Sequence, residues 1–373
     1  MTRALIITIT AIITLYVFLA GSVSAHPAWG IVVDRNNQIY FSDLETIWKI
    51  DAQGKLTVFR AGVSGRHIHE LTMDEGGNLY GADYTYEPET QRYINAIWKM
   101  TPAGGFTYIL APTNSLPKGM SIWRDRDGNM YSVEQNNHLK RETLLLRRTP
   151  SGNVSVLAGS SYGHADGKGS QAKFSSIVGM AFGPDGSLYL ADSSSVRKVT
   201  MDGTVTTLAG DLDVKSPNRN PVEGMIAWGS LMGLAINARD DAYVADYRNR
   251  RVLKITSGGA VSTIAQAEQP WTPTGVAVAG NGDLYILEFG FSPPSTNTPR
   301  VRKLSSDGRI TVLATVGENG NSSVGESSSS GGSERSAESK QSVPYVLLGV
   351  GVSILVLTLV IWRVHRRMSN QPH

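Results

Sequence analysis

Two imidazoles and a carboxylate stand almost side by side at His67, His69 and Glu70. Residues of these types can hold a divalent metal ion or pass protons to and from a bound molecule. Lys118, Glu134 and His138 add an ammonium, a second carboxylate and a third imidazole further along, and they are candidates to complete the same site. Tyr84, Tyr86, Arg92 and Tyr93 form a separate group inside a polar insert. An insert has no scaffold duty, so these four read as a recognition surface. A metal is expected only if His67, His69 and Glu70 converge on a divalent ion, and no other cofactor is expected. The chain has no glycine-rich nucleotide loop, no Gly-x-Ser-x-Gly elbow and no His-Glu-x-x-His pair, so it lacks the common signatures of nucleotide, acyl-transfer and zinc-protease chemistry.

These residues sit on a repeated framework. A Tyr followed three residues later by a carboxylate recurs as Tyr40/Asp43, Tyr80/Asp83, Tyr131/Glu134, Tyr189/Asp192, Tyr243/Asp246 and Tyr285/Glu288. Each pair is preceded by a short apolar run such as Gly233-Leu-Ala-Ile, then by a tight turn such as Asp185-Gly186-Ser187. Asp-Gly and Asn-Gly supply the positive φ angles that hairpins need. An alternating strand follows (Ile47-Trp-Lys-Ile50, Val252-Leu-Lys-Ile255), then a β-branched one (Val205-Thr-Thr-Leu-Ala209). Six four-stranded units of this kind predict an all-β, six-bladed β-propeller over residues 26–316. Glu70 falls where the other units have Gly119, Gly179, Gly233 and Gly275. That places it at the start of an inner strand, near the mouth of the central channel. No strand from one terminus is evident to complete a blade at the other, so ring closure is expected to rest on packing between blades. The six carboxylates are expected to tie down their own loops, and the repeated Tyr to pack in the core. Trp29, Trp228 and Trp271 precede inner strands and are expected to pack between blades, the alternative being that they line the mouth as stacking platforms for a sugar or peptide.

The copies resemble NHL repeats, most closely around Gly163-His-Ala-Asp-Gly167, Ala172-Lys-Phe174 and Asp246-Tyr-Arg-Asn-Arg-Arg-Val252. Similar propellers include calcium-dependent gluconolactonases and streptogramin lyases. The gluconolactonase pattern implies an Asn just before the inner-strand Gly, and this chain has Lys118, Val178, Met232 and Thr274 there. Expected metal ligands are therefore missing. A lyase-like reading at His67, His69 and Glu70 stays open.

The ends carry a different signal. Residues 1–25 read as a secretory signal peptide, with Arg3, an apolar run and small residues before Ala25. Residues 317–342 are Ser/Gly-rich and suit a flexible linker. Residues 343–362 are uncharged and long enough to cross a bilayer as one transmembrane α-helix, and the basic tail 363–373 suits the cytoplasmic side. The expectation is a single-pass type I protein of the cell membrane with its propeller outside the cytoplasm. With no cysteine, the domain has neither disulfides nor thiol chemistry. A net charge of +3 without a basic stripe argues against nucleic acid as a partner. The leading functional expectation is a binding module for an extracytoplasmic protein or glycan. The alternatives are a metal-dependent lyase or lactonase-like enzyme with its site at the channel mouth, and a passive envelope scaffold. The face bearing the inserts Tyr84–Asn95, Gln135–Thr143 and Phe289–Pro299 is expected to be the functional one.

Overall fold

A computed structural model describes residues 27–136, 142–212, 230–291, 296–317 and 322–324. They form six antiparallel sheets, one per sequence unit, in the order of the chain. Blade one is Ile31–Val33, Ile39–Ser42, Ile47–Ile50 and Leu56–Arg60. In every blade the repeated Tyr faces a basic residue on the third strand: Tyr40 with Lys49, Tyr80 with Lys99, Tyr131 with Arg147, Tyr189 with Lys198, Tyr243 with Lys254 and Tyr285 with Lys303. In four of them the ammonium lies 5.2–5.9 Å from the ring centre. The ring is covered by the lysine stem while the charge stays wet.

Ring closure is by packing. Ala28, Ile31, Phe41 and Trp48 of blade one share a core with Ala277, Tyr285, Leu287, Phe289 and Val301 of blade six. At the centre the inner strands are in close contact. A Cβ on Gly275 would lie 2.2 Å from the Trp29 carbonyl oxygen, and one on Gly179 2.3 Å from that of Met232. No side chain fits at either place, which is why these positions are glycine.

Blades two and three break the pattern. In blade two the inner strand is split into Arg66–His67 and Leu71–Met73, both paired with Leu79–Glu87. Blade one clamps the interruption. Trp29 and Gly30 donate backbone N–H groups to the His69 carbonyl, and the Ser42 hydroxyl donates to that of Ile68. In blade three the inner strand shrinks to a single bridge, Arg124 with Met130. That bridge corrects the sequence register. It corresponds to Val33–Ile39, Met73–Leu79 and Phe182–Leu188 in other blades. Ser121, not Gly119, is therefore the counterpart of Glu70 and Gly179. Gly119 lies in the preceding turn at φ +78°, which drew the two-residue misalignment.

Three residues of the segment read as linker, Ser322–Val324, pair with Ile310–Val316 and add a fifth strand to blade six. Residues 1–25 and 343–373, which carry the expected signal peptide, membrane helix and tail, lie outside the described residues. Among the described residues no helix is long and apolar enough to cross a membrane.

Candidate functional site

The loss of a regular inner strand in blade three, beside the split one of blade two, leaves a cavity of about 550 Å³ next to the channel. Its floor is Trp29, Glu70 and Trp123. Tyr84 and Asn95 come from blade two, Lys118 and Ser121 from the turn before blade three, Glu134 and Gln135 from its second strand, and Val178 and Met180 from blade four. A much smaller space of about 30 Å³ continues along the axis between Gly30, Glu70, Trp123, Gly179 and Gly233.

Glu70 is the centre of this arrangement. It leaves the chain at the break between the two inner-strand pieces and lines both spaces. The Trp29 indole donates to one carboxylate oxygen at 3.2 Å, and the Trp123 indole to the other at 3.1 Å. Three consecutive blades therefore meet on one carboxylate. Among the described residues no Arg or Lys forms an ion pair with it. Burial raises its pKa to about 7, against the lowering pull of the Trp123 and Trp29 indoles. Burial, helped by the Glu70 charge, also pushes the Tyr84 hydroxyl well above its usual value.

The two histidines adjoin this floor. His69 stacks on Trp29 with ring centres 5.4 Å apart, and Tyr84 and His67 each lie 5.8 Å from it. The three side chains picked out first in the sequence are thus neighbours, yet the Glu70 carboxylate is turned to the indoles. Among the described residues no three His, Asp or Glu side chains are placed to hold a metal ion together. On the opposite wall Lys118 and Glu134 pair at 3.1 Å and remain half-exposed. His138 lies outside the described residues.

Blade three also explains why Glu134 is available. In blades one, two, four and six the strand-end carboxylate is held by a donor on the third strand: Trp48 to Asp43, Trp98 to Asp83, Arg197 to Asp192 and Arg302 to Glu288. Blade five uses Arg251 on Asp246 at 2.7 Å. The matching position in blade three is Leu146, opposite Ser132. Nearby backbone N–H groups bond the carboxylate, as expected of all six, in blades one, four and five. In blades two and six Arg and Trp side chains hold it instead, and in the third it lines the cavity.

The blade-two insert is an ordered hairpin, Leu79–Glu87 paired with Arg92–Met100. Tyr86 and Tyr93 face each other across it with ring centres 5.2 Å apart, and both are about half exposed. With Arg92 they stand apart from the cavity lining. Trp29 does more than the packing expected of it. Trp271 lies under the Arg300 guanidinium at 4.2 Å, and Trp228 is outside the described residues. Trp123 escaped the sequence reading. Its counterparts are Val32, Thr72, Ala181, Ala235 and Ala277, so a large indole at a mostly small position was the available signal.

No protein-family model matches the chain. Teneurin-3 of Danio rerio is 24% identical over 281 residues, covering 65% of this chain and 10% of that protein. Teneurin-m of Drosophila melanogaster is 27% identical over 241 residues, covering 58% and 8%. The chain therefore spans about a tenth of the length of these curated relatives. Among solved structures it is similar to a putative gluconolactonase (TM-score 0.48, 14% identity, 78% of this chain and 90% of that one). It is also similar to virginiamycin B lyase from Staphylococcus aureus (TM-score 0.43, 19% identity, 77% and 83%).

Proposed function

We propose that this chain is a ligand-binding propeller of NHL-type repeats. Its ligand is a small polar molecule, or the exposed end of a glycan or protein, seated in the cavity between blades two and three. One observation carries the reading: a roomy concave site with apolar walls and a few converging polar groups, beside two irregular inner strands, where the inner strands at Gly179 and Gly275 leave no room for a side chain. The expected signal peptide and C-terminal membrane helix support a type I orientation, with the cavity presented outside the cytoplasm. A thermal-shift and glycan-array screen of the full-length protein tests the binding reading. Binding by wild type that is weakened by Trp123→Ala supports it, and a screen in which no ligand stabilises the protein opposes it. Protease added to intact cells tests the orientation, which requires that the propeller be digested while the 363–373 tail is spared.

A second reading is favoured by Glu70 itself. A part-buried carboxyl whose pKa desolvation raises to about 7 is suited to general acid–base work. It requires turnover that follows an ionisation near pH 7 and disappears in Glu70→Gln. Substrate binding without turnover would remove it.

A further inference from the structure

We propose that the ligand of this cavity carries an alkylammonium group, which Glu70 receives as counter-ion beside the aromatic walls of Trp29, Tyr84 and Trp123. The inference rests on the binding reading above and names the chemical class of its ligand.

The first ground is charge. Among the described residues the ionisable side chains lining the cavity are Glu70, Glu134 and Lys118, besides the phenol of Tyr84. Lys118 answers Glu134. When Glu70 ionises, no Lys or Arg among the described residues pairs with it, and the titratable groups beside it are the imidazoles of His69 and His67 and the phenol of Tyr84. Elsewhere in the ring the buried strand-end carboxylates meet cations: Asp83 meets Arg60, Asp192 meets Arg197, and Glu288 meets Arg300 and Arg302. The fold has ready means of neutralising a carboxylate, and among the described residues none of them is used at Glu70.

The second ground is hydrogen bonding. A carboxylate has about four lone-pair directions, and two indoles occupy one on each oxygen. The remaining capacity faces a space with ample volume. Because each oxygen already has a donor, a two-pronged guanidinium fork finds its best directions partly taken. A compact cation that needs charge and ring contact, not a set of N–H bonds, suits the place better.

The third ground is position. Glu70 stands where the other inner strands hold glycine or Ser121, and Trp123 stands where others hold mostly small residues. A part-buried carboxylate with no Lys or Arg partner among the described residues costs stability, and so does a split inner strand. Carboxylate and aromatic groups together are the usual receivers of alkylated ammonium. A metal ion is the poorer occupant, since no three ligating side chains converge among the described residues.

The test uses full-length protein in a maltoside detergent and two probes of nearly equal shape, choline and its uncharged carbon isostere 3,3-dimethylbutan-1-ol. Binding is read by calorimetry and by ligand-observed NMR at millimolar concentrations. Choline is expected to bind about 5- to 30-fold more tightly than the isostere, as a contact worth on the order of 1–2 kcal/mol implies. In Glu70→Gln the preference should vanish, with the melting temperature confirming the fold. If that variant fails to fold, the wild-type comparison alone decides. Equal binding of both probes, or tighter binding of the isostere or of methylguanidinium, overturns the ammonium inference and leaves the binding reading intact. If neither probe binds but the wider screen finds a neutral ligand, the inference again falls alone. If nothing binds, both fall.

Discussion

Replacing Glu70 by Gln isolates the cost of keeping a charge in this cavity. In the folded chain burial raises the Glu70 pKa from an ordinary 4.5 to about 7. The sign follows from linkage. Above 4.5 the unfolded chain gives up its proton while the folded chain retains it, so folding is increasingly opposed until the folded group also ionises near 7. The penalty is absent well below 4.5 and complete above 7. At about 1.36 kcal/mol per pKa unit, the change between roughly pH 5 and pH 8 is about 2–3 kcal/mol. Gln cannot titrate. It also sets an amide N–H₂ against one of the two indole donors, a fixed cost of about 1–3 kcal/mol, but that cost is the same at every pH. The stability difference, wild type minus Glu70→Gln, should therefore fall by about 2–3 kcal/mol from pH 5 to pH 8. Urea denaturation of both proteins at several pH values measures it, and all other titrating groups cancel in the difference. A flat or rising difference would refute the claim that the Glu70 carboxyl is desolvated in the folded chain without a compensating cation.

Other expectations concern the frame. Arg197 is fully buried against Asp192 and also donates to Asp166 and to two backbone carbonyls. Arg197→Ala should cost roughly 3–5 kcal/mol in denaturant, since it strands a buried carboxylate. Gly275→Ala forces a Cβ onto the Trp29 carbonyl and should cost about 1–3 kcal/mol. Replacing both Tyr86 and Tyr93 by Ser should leave stability within about 0.5 kcal/mol, because both rings are largely in solvent. It should also leave binding in the cavity unchanged. A loss there would move the recognition surface to the hairpin.

The repeating parts of the fold were legible because they answer to local rules. The Tyr that faces a basic residue, the Asp-Gly turns and the strand-end carboxylates recur with the blade, and the structure places each in a corresponding position. Glu70 was legible as an exception to a glycine position. What stayed hidden lies in blade three, where the pattern weakens. The inner strand there is a single bridge, so Gly119 offered a false register, and Trp123 and Ser121 were passed over. The release of Glu134 depends on Leu146 standing opposite Ser132 in place of a donor, a relation between strands that no single segment displays. The meeting of Trp29, Glu70 and Trp123 is tertiary in the same way, since blade one has to hold the gap in blade two before the indoles can reach the carboxylate.

Crystals of the protein soaked with a fragment library test the central claim most directly. The account predicts fragments bound between Trp29, Trp123 and Tyr84, with the polar or charged group of each directed at Glu70. Fragments gathered on the Tyr86–Tyr93 hairpin, with the cavity beside Glu70 left to solvent, would contradict it.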